Sequence, residues 1–248
     1  MPLTICCALM CLICSANAQP YCLAEQESAL ESRHYRYDTH WICTGDTLEI
    51  FSCEDGTFYL VDGFWITCNE VTQDLFEWYM GFNPSDMKGD LYPVTNINVD
   101  EAYSFCEKIS ETTRLSWTIP TESQWQFAFK GGLFSEGYRY SGSDRLDLVA
   151  WTTVNSSNEL HVGGQRISNE LGLFDMSGNV AEMVVCDDTV RYAGGCYQFS
   201  PSEFDNSPQH PIPANCRGLR IICHQPLWFN TYEEMIHESS VNALKNKQ

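Results

Sequence analysis

The chain has 248 residues, 44% of them hydrophobic, and carries 33 acidic side chains against 14 Lys and Arg. A chain of this length and apolar content folds around a packed core rather than staying disordered. The formal net charge of -19 excludes nucleic acid as a partner, because binding the phosphate backbone depends on clustered Lys and Arg side chains.

The first 18 residues have the pattern of a signal peptide. An uncharged apolar run ends in Ala16-Asn17-Ala18, which places small residues at the two positions that signal peptidase reads. We therefore predict cleavage after Ala18 and a secreted or periplasmic protein. The run is too short to cross a bilayer comfortably, so the protein is not expected to span the membrane.

The number of cysteines leaves at least one thiol without a partner inside the chain. Four of the 13 cysteines lie in the predicted signal peptide, so nine remain in the mature protein. Disulfides persist in an oxidising compartment, but nine is an odd number.

Short strands and a helix are predicted in the first third of the chain. Residues 48–51 and 57–61 have the composition of strands and are separated by glycines. Residues 70–80 predict a helix, because Val71, Leu75, Trp78 and Tyr79 recur at helical spacing.

Two further helices are indicated by their caps. Residues 99–110 predict a helix capped by Asn98, whose inward face carries Ala102, Phe105, Cys106 and Ile109. The next helix begins near Pro120, where Thr121 and Gln124 form a capping-box pattern, and ends at Gly131-Gly132.

The second half of the chain is predicted to be largely irregular. From residue 133 onward, Gly, Ser, Asn and Asp are frequent, and a short strand-like piece remains at residues 219–223. Residues 231–248 form a C-terminal tail in which Thr231 and Glu234 indicate a short helix.

A series of motifs, taken together and in order, resembles the sulfatase-modifying-factor family, whose best-known member is the formylglycine-generating enzyme. The motifs are EVT at 70–72, PVT at 93–95, EAYSFC at 101–106, IPTESQW at 119–125, GG at 131–132, LGLFDMSGNVAE at 171–182, GG at 194–195 and GLR at 218–220. The resemblance covers residues 55–223 and implies one domain over residues 19–230. It implies an α+β fold, a variant of the C-type lectin fold with little regular secondary structure, few helices and small mixed sheets.

The resemblance also implies bound calcium. Gly178 and Val180 would offer carbonyl oxygens and Glu182 its carboxylate, which are the hard oxygen ligands that calcium prefers. The alternative is a metal-free glycine turn in which Glu182 pairs with a cation such as Arg220. Ala181 and Met183 stand where the family favours tryptophan, so the packing around Glu182 must differ from that of the relatives.

A disulfide between Cys106 and Cys223 is a further implication of the resemblance. Some family members link the helix cysteine at position 106 to one just after the GLR strand. Here the second cysteine lies two positions later, which keeps its side chain on the same face of a strand. The alternative is a pair of buried thiols.

The oxidase members carry a Gly-Gly-Ser-aromatic-x-Cys run and a second cysteine five residues later, and this pair binds copper(I) to oxidise a substrate cysteine. Aligned without gaps, Phe199 and Phe204 stand at the two thiol positions, and Cys196 stands at the serine. The resemblance therefore implies the framework of the enzyme without its reactive pair.

Cys196 and Cys216 are the candidates for a relocated catalytic pair. Against this, a strand residue shifted by three positions from the catalytic place points to the opposite face of its sheet. The other interpretation gives Cys196 a disulfide with Cys186, Cys216 or another cysteine.

Residues 197–215 combine four prolines with Tyr197, Phe199 and Phe204 and are predicted to form a binding loop. The alternative is a loop that folds these rings over its own core. The predicted function is that of a non-catalytic binding or assembly module at the cell envelope, with a protein or glycan ligand. The alternative is a divergent copper-dependent formylglycine-generating oxidase that acts on a cysteine of a sulfatase-like substrate.

Overall fold

The computed structural model describes residues 39–42, 49–52, 58–61, 64–113, 116–204 and 211–224, with the backbone alone for the first three ranges and for residues 133 and 224. These ranges contain four α-helices and eleven strands. The helices are α1 (Gln73–Met80), α2 (Val99–Thr113), α3 (Glu122–Phe129) and α4 (Leu146–Val149). The strands are β1 (Thr39–Ile42), β2 (Glu49–Ser52), β3 (Phe58–Val61), β4 (Phe64–Thr67), β5 (Trp117–Thr118), β6 (Ala150–Trp151), β7 (Ser177–Gly178), β8 (Ala181–Cys186), β9 (Thr189–Ala193), β10 (Arg217–Gly218) and β11 (Ile222–His224).

The largest sheet has four strands in the order β1-β4-β11-β5, and each neighbouring pair is antiparallel. Ile222 of β11 pairs with Ile66 of β4 on one side and with Thr118 of β5 on the other. The sheet therefore joins the early and late parts of the described chain. Two small two-stranded sheets, β2-β3 and β6-β7, lie outside it.

The three-stranded sheet β10-β8-β9 positions the candidate site. Its central strand β8 is antiparallel to β9 and parallel to β10. In this register Ala193, the last residue of β9, and Gly218 of β10 both pair with Glu182, from opposite sides. The chain leaving β9 and the chain entering β10 therefore meet at the same end of β8.

Buried apolar side chains form three clusters. One packs α1 and α2 against the four-stranded sheet and includes Phe76 and Phe105. A second packs α3 against β4 and includes Trp125. The third, called here the loop cluster, joins apolar residues of α4, β6 and β8 to the chain around β9 and β10; it comprises Tyr140, Leu146, Val149, Ala150, Leu160, Val180, Ala181, Cys196, Tyr197, Phe199, Phe204, Ile212 and Cys216.

The predicted helix caps of α2 and α3 are confirmed. The Glu101 N–H donates to Asn98 Oδ1 at 2.9 Å, and the Asn98 N–H donates to Glu101 Oε2 at 2.8 Å. Thr121 and Gln124 form the expected capping box at α3. Beyond α3, Gly131 takes the left-handed conformation at φ +86, which ends the helix as predicted.

The helix predicted at residues 70–80 begins later, with Thr72 as the residue before its first turn. Val71 and Leu75 are buried as expected, but Trp78 is 50% exposed. Phe76 takes the inward position instead, because its ring stacks on Phe105 of α2 with centroids 5.4 Å apart.

The strands predicted at residues 48–51 and 57–61 are found as β2 and β3, and the α+β class with few helices and small mixed sheets is confirmed. The predicted signal peptide and the helix predicted in residues 231–248 lie outside the described residues. Within the described ranges, no helix combines the length and the hydropathy needed to cross a bilayer.

Candidate functional site

A fully buried ion pair joins Glu182 of β8 to Arg220, which follows β10. Both residues are 0% exposed. Arg220 Nε donates to the two carboxylate oxygens at 2.9 and 3.0 Å, and Nη2 lies 2.8 Å from Oε1. The parallel register of β8 and β10 brings the two residues together.

Backbone carbonyls and one indole complete the hydrogen bonds of this pair. Arg220 Nη1 donates to the Thr67 carbonyl at 2.5 Å, and Nη2 donates to the Phe174 carbonyl at 2.6 Å. Trp125 Nε1 donates to Glu182 Oε2 at 2.6 Å. A buried charge is costly unless it is paired and hydrogen-bonded, so these bonds hold the side chains of Arg220 and Glu182 in fixed positions.

Two further buried carboxyl groups lie near the ion pair. Glu70 accepts hydrogen bonds from Asn179 Nδ2 at 2.9 Å and from the Val180 N–H at 3.1 Å. Asp175 Oδ2 accepts a hydrogen bond from the Gly164 N–H at 2.7 Å. Among the described residues, the buried Oδ1 of Asp175 meets no donor.

Burial determines the protonation of these groups. Burial, reinforced by Asp175 and Glu182, raises the pKa of Glu70 well above its usual value. Burial also raises the pKa of Asp175 to about 6. Burial alone would lower the pKa of Arg220, but the three surrounding carboxyl groups raise it overall, so the guanidinium stays charged.

The contacts of Glu182 bear on the calcium site predicted at Gly178, Val180 and Glu182. Calcium takes roughly six to eight oxygen ligands, among them carboxylate oxygens that face the ion. Both oxygens of Glu182 already accept hydrogen bonds from Arg220 and Trp125, so an arginine supplies the positive charge beside Glu182. This donor set does not fit a calcium ion while Arg220 stays in place.

In the part of the chain that the structure describes, no three His, Cys, Asp or Glu side chains are grouped so that they could hold a metal ion. Calcium binding stays a prediction drawn from the resemblance. The alternative considered with it, a metal-free turn in which Glu182 pairs with Arg220, describes the contacts found here.

Cys196 and Cys216 lie side by side, with their side chains joined by a hydrogen bond. Both are 0% exposed and belong to the loop cluster. The expectation that the Cys196 side chain points to the opposite face of its sheet from the catalytic position does not apply, because Cys196 is not in a strand. β9 ends at Ala193, and Gly194 and Gly195 follow with φ of +87 and +69, a conformation that turns the chain out of the sheet.

Three donors converge on the sulfur of Cys216: the Cys196 thiol, the Tyr197 hydroxyl and the Gln198 backbone N–H. The hydrogen bond from Cys196 is the main cause that lowers the pKa of Cys216 against the effect of burial. Its donation to Cys216, together with burial, raises the pKa of Cys196. The hydrogen bonds to its sulfur therefore favour the thiolate form of Cys216.

The aromatic side chains of the predicted binding loop are buried, which agrees with the alternative in which the loop folds them over its own core. Tyr197, Phe199 and Phe204 are only 5%, 8% and 9% exposed. Phe199 and Phe204 meet edge to face with centroids 6.3 Å apart. A Cβ on Gly195 would lie 2.9 Å from the Phe204 ring, so only glycine allows the ring to pack so closely. The loop folds over its own core because burying large aromatic rings stabilises the fold.

The predicted partners Cys106 and Cys223 lie in the same buried cluster, 3% and 1% exposed. Cys106 takes part in no disulfide, and burial raises its pKa to about 12. The structure therefore holds Cys106 as a buried thiol, and the Cys106–Cys223 bridge stays a prediction.

Sequence reasoning did not assign Glu70, Trp125 or Asp175 to a site. Each of them lies inside a motif that carries the family resemblance, at EVT, IPTESQW and LGLFD. The motifs marked these residues as part of the family pattern. That they meet at one buried ion pair depends on the fold and is not visible in the sequence.

Residues 54–221 match the family described as the sulfatase-modifying factor enzyme 1-like domain. The match covers more than half of the chain, and the chain belongs to this family. A curated relative, "Chaperone protein LppX" of Paenibacillus barcinonensis, is 31% identical over 169 residues, which cover 48% of this chain and 60% of that protein. The chain thus spans less than two thirds of the length of this relative.

Three solved structures share the fold. "Treponema denticola variable protein 1" matches with a TM-score of 0.65 at 20% identity, over 78% of this chain and 99% of that one. CarF matches with a TM-score of 0.60 at 21% identity, over 77% and 99%. PvdO from Pseudomonas aeruginosa matches with a TM-score of 0.55 at 17% identity, over 75% and 91%. Together with the family match, these likenesses confirm the C-type lectin-like fold of the formylglycine-generating enzyme type.

Proposed function

We propose that this protein is a non-catalytic binding or assembly module of the cell envelope. The observation that carries the proposal is the pair of rings Phe199 and Phe204, which stand where the family resemblance places the two copper-binding thiols. Neither ring can ligate a metal. Both pack into the loop cluster, where they complete an apolar core.

The rest of the site supports a structural role for the family motifs. Four side chains of the site are buried, those of Glu70, Asp175, Glu182 and Arg220. Their hydrogen bonds join groups from distant parts of the chain, so they hold the family motifs together. None of these four side chains reaches a surface where it could act on a substrate. A fold that is stabilised in this way can carry recognition on its loops without chemistry of its own.

The envelope location and the kind of ligand are parts of this proposal. The predicted cleavage after Ala18 directs the chain out of the cytoplasm. The relative from Paenibacillus barcinonensis is named as a chaperone, and this name favours a protein over a glycan as the ligand.

A second candidate is the copper-dependent oxidase, and one observation favours it. Cys196 and Cys216 meet in space although they are twenty positions apart, so two sulfur atoms are available at one place. Their complete burial weighs against it, because a substrate cysteine must reach the metal.

An activity assay separates the two functions. The full chain is incubated with copper, oxygen and a peptide that carries a sulfatase-type Cys-x-Pro-x-Arg motif, and the peptide mass is followed. We expect no aldehyde above the protein-free control. An aldehyde that forms with the wild type and is lost in Cys196→Ser would overturn the proposal in favour of the oxidase.

The envelope location has its own test. The full chain is expressed in a bacterium and the cell fractions are analysed, with the N-terminus of the recovered protein sequenced. We expect recovery outside the cytoplasm with Gln19 as the first residue. An intact N-terminus on a protein confined to the cytoplasm would refute the location.

A further inference from the structure

The ends of two strands bring Cys196 and Cys216 to one place. Cys196 follows β9 by three residues, and Cys216 directly precedes β10. Both strands flank β8 at the same end, because Ala193 and Gly218 both pair with Glu182. The register of the sheet therefore brings these two residues to the same end of β8.

Neighbouring contacts fix the two segments against each other. Asn215 Nδ2 donates to the Tyr197 hydroxyl at 3.3 Å, so the residues next to the two cysteines are also bonded. The Tyr197 N–H donates to the Asn179 carbonyl at 2.9 Å, and the Cys216 N–H donates to the Pro213 carbonyl at 2.9 Å. Backbone and side-chain bonds thus hold both cysteines in position.

We propose that Cys196 and Cys216 form a disulfide that closes the segment of residues 197–215 and fastens the exit of β9 to the entrance of β10. In the structure both cysteines are reduced and lie buried together in the loop cluster. This pairing selects one of the partners that the sequence left open for Cys196. It is distinct from a copper site, since the oxidised pair has no thiolate left to bind the metal.

Bond formation requires an external oxidant, and a small or protein-borne disulfide supplies it. The Cys216 thiolate attacks one sulfur of the oxidant, which forms a mixed disulfide and releases the first thiolate. That thiolate takes the proton of Cys196. The Cys196 sulfur then attacks the Cys216 sulfur, which closes the bridge and releases the second thiolate. Two thiols of the protein are oxidised, and one disulfide of the oxidant is reduced to two thiols.

The environment assigns the roles of the two sulfurs. Cys216 accepts hydrogen bonds from the Tyr197 hydroxyl and from the Gln198 N–H as well as from Cys196, and these bonds favour its ionised form as the attacking group. Because both sulfurs are 0% exposed in the folded protein, exchange takes place before folding is complete. The finished bridge is then shielded from reductants in the folded protein.

Peptide mapping tests the bridge on the wild-type chain. The purified full chain is reduced in denaturant, refolded in the presence of glutathione disulfide, unfolded again, alkylated without reduction and digested. Trypsin leaves both cysteines in the peptide 192–217, since no Lys or Arg lies between Arg191 and Arg217. We expect this peptide to be unalkylated and about 2 Da lighter than its reduced form, which is the mass of two hydrogens lost on oxidation. Cleavage at Glu203 should then give two fragments joined by a bond that reduction breaks.

Variants give a second, independent readout. Reduction in denaturant followed by refolding under reducing conditions should lower the Tm of the wild type by roughly 5 to 10 °C, because a closed loop of this length restricts the unfolded chain. Cys196→Ser and Cys216→Ser should have the lower Tm in both redox states. Cys186→Ser is the matched control and should keep the redox-dependent shift, since Cys186 lies on β8 outside the loop cluster.

The inference is overturned if both cysteines are alkylated after refolding in the presence of glutathione disulfide. It is also overturned if Cys196 is found linked to Cys186, or if Cys216 keeps a stable glutathione adduct. The bridge forms whether or not the protein binds a ligand. The peptide map can therefore refute the bridge without bearing on the proposed function, and the aldehyde assay can refute the proposed function without bearing on the bridge.

Discussion

Arg220 lies against the carboxylate of Glu182, with its Nε within 3.0 Å of both carboxylate oxygens. The pair lies where β8 and β10 run in parallel, and Trp125 bonds the same carboxylate from α3. One arginine thus neutralises Glu182 and bonds the carbonyls of two other segments, at Thr67 and Phe174.

Removing the arginine should strongly destabilise the protein. Arg220→Met keeps the length of the side chain but leaves the buried carboxylate of Glu182 without a counter-charge. We expect the free energy of unfolding in urea to fall by about 3 to 5 kcal/mol. Arg145→Ala is the control, because its ion pair with Asp147 is mostly exposed and contributes little. Equal stability of the two variants would show that the buried pair is not structural.

Calcium should have little effect on the folded protein. Because Glu182 is already neutralised by Arg220, the Tm in excess CaCl2 and in EGTA should agree to within about 1 °C, whereas an ion held well above its dissociation constant would stabilise the protein. Differential scanning calorimetry gives this comparison. A large drop in EGTA, together with ion density near Glu182, would establish the calcium site that the resemblance implies.

The stability of the protein should depend on pH through Asp175. Its pKa is raised by burial from the usual 3.8 to about 6, so the folded state binds this proton more tightly than the unfolded state. The contribution to stability is therefore complete below about pH 4 and is lost as the pH rises through about 6. In urea unfolding at pH 4 and at pH 7, the wild type should lose more stability on going to the higher pH than Asp175→Asn does.

The control for this comparison is Asp147→Asn, at an exposed acid whose pKa the bond from Arg145 lowers. It should leave the pH dependence of the wild type nearly unchanged. If Asp175→Asn and the wild type differ by the same amount at both pH values, Asp175 does not titrate in this range.

The aromatic rings of the segment after β9 should behave as core residues. Phe199→Ala and Phe204→Ala each leave a cavity in the loop cluster and should cost about 3 to 5 kcal/mol in the free energy of unfolding. Val154→Ala, at a side chain that is 71% exposed, should change it by less than about 0.5 kcal/mol. Stability close to that of the wild type in both Phe variants would restore the prediction of an exposed binding loop.

The local parts of the fold could be predicted from the sequence because their signals are local. The caps at Asn98 and Thr121 and the glycine that ends α3 depend on a few neighbouring residues, and each was found where its pattern placed it. The family motifs indicated the fold class in the same way, through the order of short motifs along one chain.

The contacts between distant segments could not be predicted. The meeting of Cys196 and Cys216 depends on the register of β9 and β10 against β8 and on two left-handed glycines. The alternation rule for strands failed at Cys196 because the strand had already ended. Burial of Phe199 and Phe204 likewise follows from a cluster that the sequence alone does not show.

Copper soaking of crystals of the reduced protein tests the central claim most directly, since the claim is that rings have replaced the metal-binding thiols. Diffraction data at the copper edge locate any bound Cu(I). We predict no copper in the loop cluster and an unchanged packing of Phe199 against Phe204. A copper ion held between Cys196 and Cys216 beside an open, substrate-sized cleft would contradict the account.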